Sequence, residues 1–349
     1  MKKCILYPFY DEFYNMFPIL EEQNDLIITK FVMPKGWKTK KRRSKIDITY
    51  DFYNALYGCD LVIFIETRHN QYMHDDICHK IQESIKNGKD VKCMENLSKE
   101  EIKVIKKLAE GYKVKFEYGH RQSIEVRTKF NPYYEPNALV IGIGKLLNNM
   151  GTFSILCQCV KGYHDRGFKV SIISNNGNNQ LFGFNSYPTG KFSPESINRL
   201  IRKIEDRDNP DVIILDFPDS IMKYSNRLYN NFGVYSYIIS QAVSIDYFIL
   251  VSQVLFYNED LCDHLKKLVN YRFDCDLDAI YISNYYFDEG DSDEMYKLII
   301  RESNDEKSIE SIYHYNSECA NIVPIYNKET IDDMIQNSIQ NSVSEIEMF

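Results

Sequence analysis

Three glycines in the stretch Asn137–Ser174, NALVIGIGKLLNNMGTFSILCQCVKGYHDRGFKVSIIS, stand where a buried strand would turn into a helix. A loop in that place cradles phosphates when it reads G-x-x-x-x-G-K-S/T. Its backbone N–H groups turn inward, the lysine reaches the terminal phosphates, and the hydroxyl holds magnesium. Here the loop and helix start comprise Gly142, Gly144, Lys145, Asn149, Gly151, Thr152 and Phe153. Thr152 stands at the lysine position and Phe153 at the hydroxyl position, while Lys145 lies on the wrong side of the loop. What survives is a helix N-terminus, whose free N–H groups and positive dipole end favour an anion. The residues leave two readings. One is weak anion or nucleotide binding without efficient hydrolysis. The other is an inherited turn with no ligand, which is what a broken motif more often proves to be.

Four further stretches carry residues of a chemical type. Pro210–Ser220, PDVIILDFPDS, is an apolar strand ending in Asp216, the place from which a carboxylate orients magnesium or water. Asp216 would equally serve to cap the following turn, and Asp219 is the weaker candidate of the pair. Ser174–Pro188, SNNGNNQLFGFNSYP, follows the strand expected at Val170–Ser174 at its carboxyl end, where ligands of open α/β sheets sit. Asn175, Gly177, Gln180 and Gly183 are its pocket candidates, against the alternative of a long polar surface loop. Lys35–Lys45 sets basic residues around Trp37, the one tryptophan, and reads as a solvated loop or a dock for an acidic partner. Finally, His69, His74, Cys78 and His79 lie close together, and His74 and Cys78 share one helix face at i,i+4 spacing. That pair has zinc-ligand chemistry, but no second pair accompanies it and His79 points about 100° away, so no metal site is expected.

The elements that must position these residues alternate along the chain. Lys3–Phe9, Leu26–Met33, Cys59–Glu66, Lys89–Glu95 and Lys113–Gly119 read as strands, and Asp75–Lys86 as a helix. Ser98 and Glu101 form a capping box that opens a second helix, with Gly111 as its expected stop. Arg121–Asn137 contains Pro132 and Pro136, has weak periodicity, and reads as a linker. Beyond it, strands are expected at Leu139–Ile143, Val170–Ser174, Val212–Asp216, Tyr247–Val251 and Ala279–Ile282. Helices are expected near Thr152–Asp165, Pro194–Asp206, Tyr235–Val243, Asn258–Asn270 and Asp293–Glu302. The alternation predicts two doubly wound, mostly parallel α/β domains. The first, 1–125, is Rossmann-like; 126–137 links it to a degenerate P-loop-like domain, 138–328, and 329–349 is an amphipathic helix. That helix has one apolar stripe, to be packed on the body or on a partner, so a homo-oligomer is among the arrangements allowed.

Bulk properties narrow the function classes. The 349 residues suit two domains, and 44% hydrophobic with 26% charged residues suit packed cores. A net charge of −8 argues against a general nucleic-acid binder, which needs excess cations. No apolar run approaches the roughly 18 residues that span a bilayer, and Pro8 and Asp11 break the only leader-like start. Nine scattered cysteines without framework spacing fit a reducing cytoplasm. The first strand is not followed by G-x-G-x-x-G, and no G-x-S-x-G elbow or C-x-x-x-C-x-x-C triplet occurs.

Co-linear motifs over most of the chain carry a resemblance. They are KKCILYPF, PKGW, VIGIG followed by NNMGTF, GFKVSIIS, LFGFNSYP, NPDVIILDFPDSIM, NNFGVYSYIISQAV and YRFDCDLDAIYIS. In these the chain resembles the peptide maturation system proteins of clostridia, which are encoded near radical-SAM peptide-modifying enzymes and small ribosomal precursor peptides. The resemblance implies a Rossmann-like domain followed by a P-loop domain of the dethiobiotin-synthetase and MinD class. It also implies a precursor peptide or a radical-SAM enzyme as partner. The family resembles N-T-G-K-F where this chain has Asn149-Met150-Gly151-Thr152-Phe153, and a family glutamate appears here as Gln180. Family glycines around the turn after the Val212–Asp216 strand give way to Asp216, Asp219 and Ser220. The expectation is therefore a binding protein without efficient hydrolysis. An ATP-dependent ligase or kinase using Lys145 and Asp216 is the alternative, and a structural partner without a small ligand is a third.

Overall fold

A computed structural model describes residues 1–10, 13, 16–37, 46–66, 70–119, 132–148, 151–190, 193–221, 233–253, 258–283, 285–287, 300–302, 321–324 and 328–346. The chain forms two compact units, Met1–Arg121 with Asn176–Asn185, and Gln122–Asn175 with Ser186–Phe349. Both are doubly wound, mostly parallel α/β units, as the alternation of apolar strands and capped helices requires.

Unit 1 runs β1 (Lys2–Tyr7), α1 (Phe17–Asn24), β2 (Leu26–Val32), β3 (Asp47–Thr49), α2 (Phe52–Leu56), β4 (Leu61–Phe64), α3 (Asn70–Lys86), β5 (Asp90–Cys93), α4 (Lys99–Tyr112) and β6 (Phe116–Tyr118). Its strand order is β3-β2-β1-β4-β5-β6, with every neighbouring pair parallel. The order reverses between β1 and β4, so the carboxyl ends of those two strands flank the switch point. Val62, Ile63 and Phe64 are fully buried, as a strand covered on both faces must be. The apolar stripes of α3 (Ile77, Ile81, Ile85) and α4 (Ile105, Ala109) complete one core cluster, and Trp37 packs on its edge. The remainder of the basic run, 38–45, lies outside the described residues, as does His69. Ser98 and Glu101 form the capping box. Gly111, expected to stop α4, lies within it, and Lys113 takes the left-handed cap instead at φ 57°.

Unit 2 runs β7 (Leu139–Lys145), α5 (Thr152–Asp165), β8 (Val170–Ile173), β9 (Asn185–Tyr187, whose first residue belongs to unit 1), α6 (Pro194–Asp208), β10 (Val212–Ser220), α7 (Val234–Ser240), β11 (Tyr247–Ser252), α8 (Glu259–Phe273), β12 (Ala279–Ile282), β13 (Tyr285–Phe287), β14 (Ile300–Glu302), β15 (Asn321–Pro324) and α9 (Lys328–Ile346). The sheet order is β15-β12-β11-β7-β10-β8-β9, and the β13–β14 pair is a separate antiparallel ladder. Parallel pairing joins β7 to β10 and β11, β10 to β8, β11 to β12, and β12 to β15. A helix expected over Asp293–Glu302 is corrected at its end, where Ile300–Glu302 is strand; 293–299 lie outside the described residues.

The described part of the expected linker, 132–137, is hydrogen-bonded to α6 of unit 2. Asn198 accepts from Tyr134 N (3.0 Å) and donates to Tyr134 O (2.7 Å). Glu205, 7% exposed, accepts from Asn137 N (2.7 Å) and Ala138 N (2.9 Å). Buried side chains on α6 thus satisfy backbone donors that irregular chain leaves open. The stripe of α9 packs on α5: Ile331 and Ile335 are buried, and Tyr163 OH lies 2.5 Å from Ser338 Oγ. Cys4, Cys59, Cys78, Cys93, Cys157, Cys159 and Cys275 form no disulfide, whereas Cys262 is disulfide-bonded, which the cysteine spacing did not predict. No helix among the described residues is long and apolar enough to cross a membrane.

Candidate functional site

The carboxyl edge of the unit 2 sheet gathers the first set of candidates. β7 continues two residues past the expected Ile143, so Gly144, like Gly142, is a strand residue and not a loop residue. Their lack of a side chain serves packing. A Cβ on Gly142 would lie 2.8 Å from Phe248 Cδ2, and one on Gly144 would lie 2.5 Å from Phe248 Cζ. Both glycines make room for the Phe248 ring of the neighbouring strand β11.

The following turn is tied down by its own chain. Leu146 N donates to Val251 O (2.8 Å), Ile221 N donates to Lys145 O (2.9 Å), and Asn148 Oδ1 accepts from Ser220 N (2.9 Å). Leu146 and Leu147 are buried. Asn149 lies outside the described residues. Gly151 is the N-cap of α5 at φ 74°, a left-handed conformation suited to glycine, and it supplies no side-chain cap. Thr152 and Phe153 are 8% and 3% exposed. The side chain at the hydroxyl position is therefore a core ring.

The two carboxylates of β10 have different environments. Asp219 is 2% exposed and accepts from Ser236 N (2.8 Å) and Tyr235 N (3.2 Å), and from the Ser236 hydroxyl. It caps α7, whose own N-cap is Gly233. Asp216 accepts from Ser174 Oγ (2.6 Å) through Oδ2, while its Oδ1 is buried without a hydrogen-bond partner. Ser174 was not among the residues singled out from the sequence, although it ends the quoted GFKVSIIS run. At Asp216 the β7–β10 register is regular (Asp216↔Ile143), and it shifts before Ser220↔Lys145. Such a bulge re-aims the strand end beside the loop.

The expected pocket loop divides. Asn175 stays in unit 2, where its amide holds Thr189 (2.8 and 3.2 Å). Gly177, Gln180 and Gly183 belong to unit 1, in a 3-10 turn over Gly177–Phe182. Gly177 N–H donates to the Glu66 carboxylate, and Asn178 bonds both the N–H and the C=O of Glu66 (2.8 and 3.0 Å). Leu181 O accepts from Asn24 (2.8 Å). Gln180 Oε1 approaches the Gly119 position, and Gly183 closes the turn at φ 71°. Gly177, Asn178 and Gln180 lie against Glu66, Met94 and Gly119, at the carboxyl ends of β4, β5 and β6.

A second cluster lies in unit 1, where α3 and α4 bring His74, Cys78 and Glu101 together. His74 Nε2 is 2.8 Å from Glu101 Oε1, and Cys78 Sγ is 3.7 Å from each of those atoms. Hydrogen bonds from Ser98 and the His74 contact hold the Glu101 carboxyl down to about 2. Burial, then the charge of Glu101, pushes the Cys78 thiol up to about 12. Glu101 went unnoticed in the sequence as a partner of the His–Cys pair because its capping-box role already accounted for it.

No protein-family model matches the chain, and no curated protein is similar to it in sequence. Among solved structures, the fold is similar to a DUF1611 family protein from Anabaena variabilis. The TM-score is 0.54 at 8% identity, covering 97% of this chain and 100% of that one. Homoserine dehydrogenase from S. aureus aligns over 98% of this chain and 80% of its own, at 11% identity and a TM-score of 0.29. The first likeness concerns fold alone.

Proposed function

We propose that the protein is an accessory binding protein in the maturation of a ribosomally made peptide. In this reading the first turn of α5 holds an anionic group, a phosphate or a peptide carboxylate, without efficient hydrolysis of a nucleoside triphosphate. The observation that carries it is the start of α5. The helix starts at a glycine that supplies no side-chain cap, so its positive dipole end carries no capping side chain of that residue, and the hydroxyl position is filled by the buried ring of Phe153. A phosphate clamp without its lysine forfeits stabilisation of developing charge and keeps binding alone. The peptide context rests on the resemblance of the co-linear motifs, and a precursor peptide or a radical-SAM modifying enzyme is the expected partner. Calorimetric titration with the precursor peptide and with ATP tests this. The expected result is peptide binding, weakened by competing phosphate, and at most weak binding of ATP. Absence of binding to peptide and to modifying enzyme alike would refute the reading and leave a purely structural partner.

One observation favours the alternative of an ATP-dependent ligase or kinase. Asp216 Oδ1 is buried and without a hydrogen-bond partner, which is how a carboxylate looks when it is shaped for a cation. In that case Asp216→Asn abolishes a magnesium-dependent transfer of phosphate to the peptide.

A further inference from the structure

His74 and Cys78 lie one turn apart on α3, and Glu101 comes from the first turn of α4. Their donor atoms form a triangle with sides of 2.8, 3.7 and 3.7 Å. A tetrahedral zinc ion with bonds of about 2.0 Å to N and O and about 2.3 Å to S sets its ligands roughly 3.3–3.6 Å apart. The triangle is within about half an ångström of that without moving either helix. We propose that His74 Nε2, Cys78 Sγ and Glu101 Oε1 bind one divalent cation of the zinc class, leaving a fourth position open to water or to a donor atom of a bound peptide.

Four observations support the assignment. First, the donors are one imidazole, one cysteine sulfur and one carboxylate, each of them a ligand type that zinc takes, with the thiol giving up its proton when the ion binds. Second, the charged groups that act on the Cys78 sulfur are Glu101, Asp75 and Glu95, all of them acidic, so the field there favours a cation. Third, Glu101 is oriented from behind: its Oε2 accepts from Ser98 N at 2.7 Å, which aims Oε1 at the other two donors. Fourth, the His74 and Glu101 side chains are 31% and 34% exposed, which gives an ion a way in and a fourth ligand room. A hydrogen bond accounts for the His74–Glu101 contact. The sulfur of Cys78, 3.7 Å from both partners, makes only weak hydrogen bonds there, which an ion shared by the three donors would replace. The inference concerns unit 1 and stands apart from the anion reading of unit 2.

Cobalt(II) is the probe. The full chain, stripped with a chelator and dialysed, is titrated with Co²⁺ under anaerobic conditions and then with Zn²⁺. The expected result is one equivalent of Co²⁺ with a thiolate-to-cobalt charge-transfer band and the intense visible bands of four-coordination, both removed by one equivalent of Zn²⁺. Cys78→Ser should abolish the charge-transfer band. His74→Ala and Glu101→Gln should each weaken zinc binding by roughly tenfold or more. Glutamine still serves at the third position of a capping box, so Glu101→Gln tests the ligand without unfolding α4, and circular dichroism checks that. His79→Ala, one residue round the helix, should change nothing. No charge-transfer band in the wild-type chain, or a band that persists in Cys78→Ser, would overturn the proposal.

Discussion

Both units bring the carboxyl ends of parallel strands to one edge, the place where such sheets hold ligands, but different residues stand there. In unit 1 the chain leaves β1 through Tyr7-Pro8-Phe9, with no glycine, and residues of 176–185 lie against the ends of β4, β5 and β6. Its chemistry-bearing cluster sits on the flanking helices α3 and α4. In unit 2 the chain leaves β7 through a turn with a left-handed glycine, and α5 starts at the edge with no side-chain cap from that glycine. The shared architecture fixes where a site can be. The residues of the first turn and the partners of its amides decide whether it is used.

The largest expected effect tests whether the carboxylates of β10 divide as described. Asp219→Ala removes the buried acceptor for two backbone N–H groups and a hydroxyl at α7, and should cost about 2–4 kcal/mol in denaturant unfolding. Asp216→Asn, with one hydrogen bond and an unpartnered oxygen, should be nearly neutral or stabilising. If the two variants are alike, Asp219 is no cap.

The next effect sets a glycine of each unit against the other. Gly177→Ala would bring a Cβ to 2.8 Å from Glu66 Oε2 and 3.1 Å from Met94 O, which is backbone and cannot swing away. Gly144→Ala would meet the Phe248 ring. Each should lose about 1–3 kcal/mol by overpacking. Only Gly144→Ala should be rescued by Phe248→Leu, and rescue of both would contradict the assignment.

The smallest effect contrasts the carboxyl edge with the amino edge of unit 2. Asp278 precedes β12 and accepts from Phe248 N at 2.7 Å, and burial raises its carboxyl to about 6. A carboxyl whose folded value exceeds its unfolded value of 3.8 binds more protons when folded, so stability falls as pH rises from about 4 to 6 and stays lower above. Asp278→Asn keeps the acceptor and removes the charge. It should gain about 1–2 kcal/mol at pH 7 and flatten the stability profile between pH 4 and 6. An unchanged profile would assign that slope to other groups.

Much of the fold was legible in the sequence because apolar runs and caps are local. The strands at Val170–Ile173 and Ala279–Ile282 and the helix opening at Pro194 behind Ser193 follow from patterns of a few residues. Short elements were not legible: Asp47–Thr49 and Phe52–Leu56 are too brief to show a period, and their place is set by packing. The site was half legible. Sequence marked the turn around Gly151 and the two aspartates. It did not reveal that Phe248 occupies the space beside Gly142 and Gly144, because a glycine beside a ring and a glycine beside a phosphate look alike in one dimension. Nor did it show that 176–185 belongs to unit 1, or that Glu101 meets His74 and Cys78, since those contacts join residues far apart in the chain.

The central claim is that the turn between β7 and α5 keeps its place in the sheet while lacking the cation and hydroxyl needed to cleave a triphosphate. Steady-state turnover of ATP with magnesium, measured on the wild type and on Lys145→Ala and Asp216→Asn, addresses it directly. The account predicts no phosphate release above the buffer rate and no difference among the three proteins. Turnover in the wild type that disappears in both variants would contradict it.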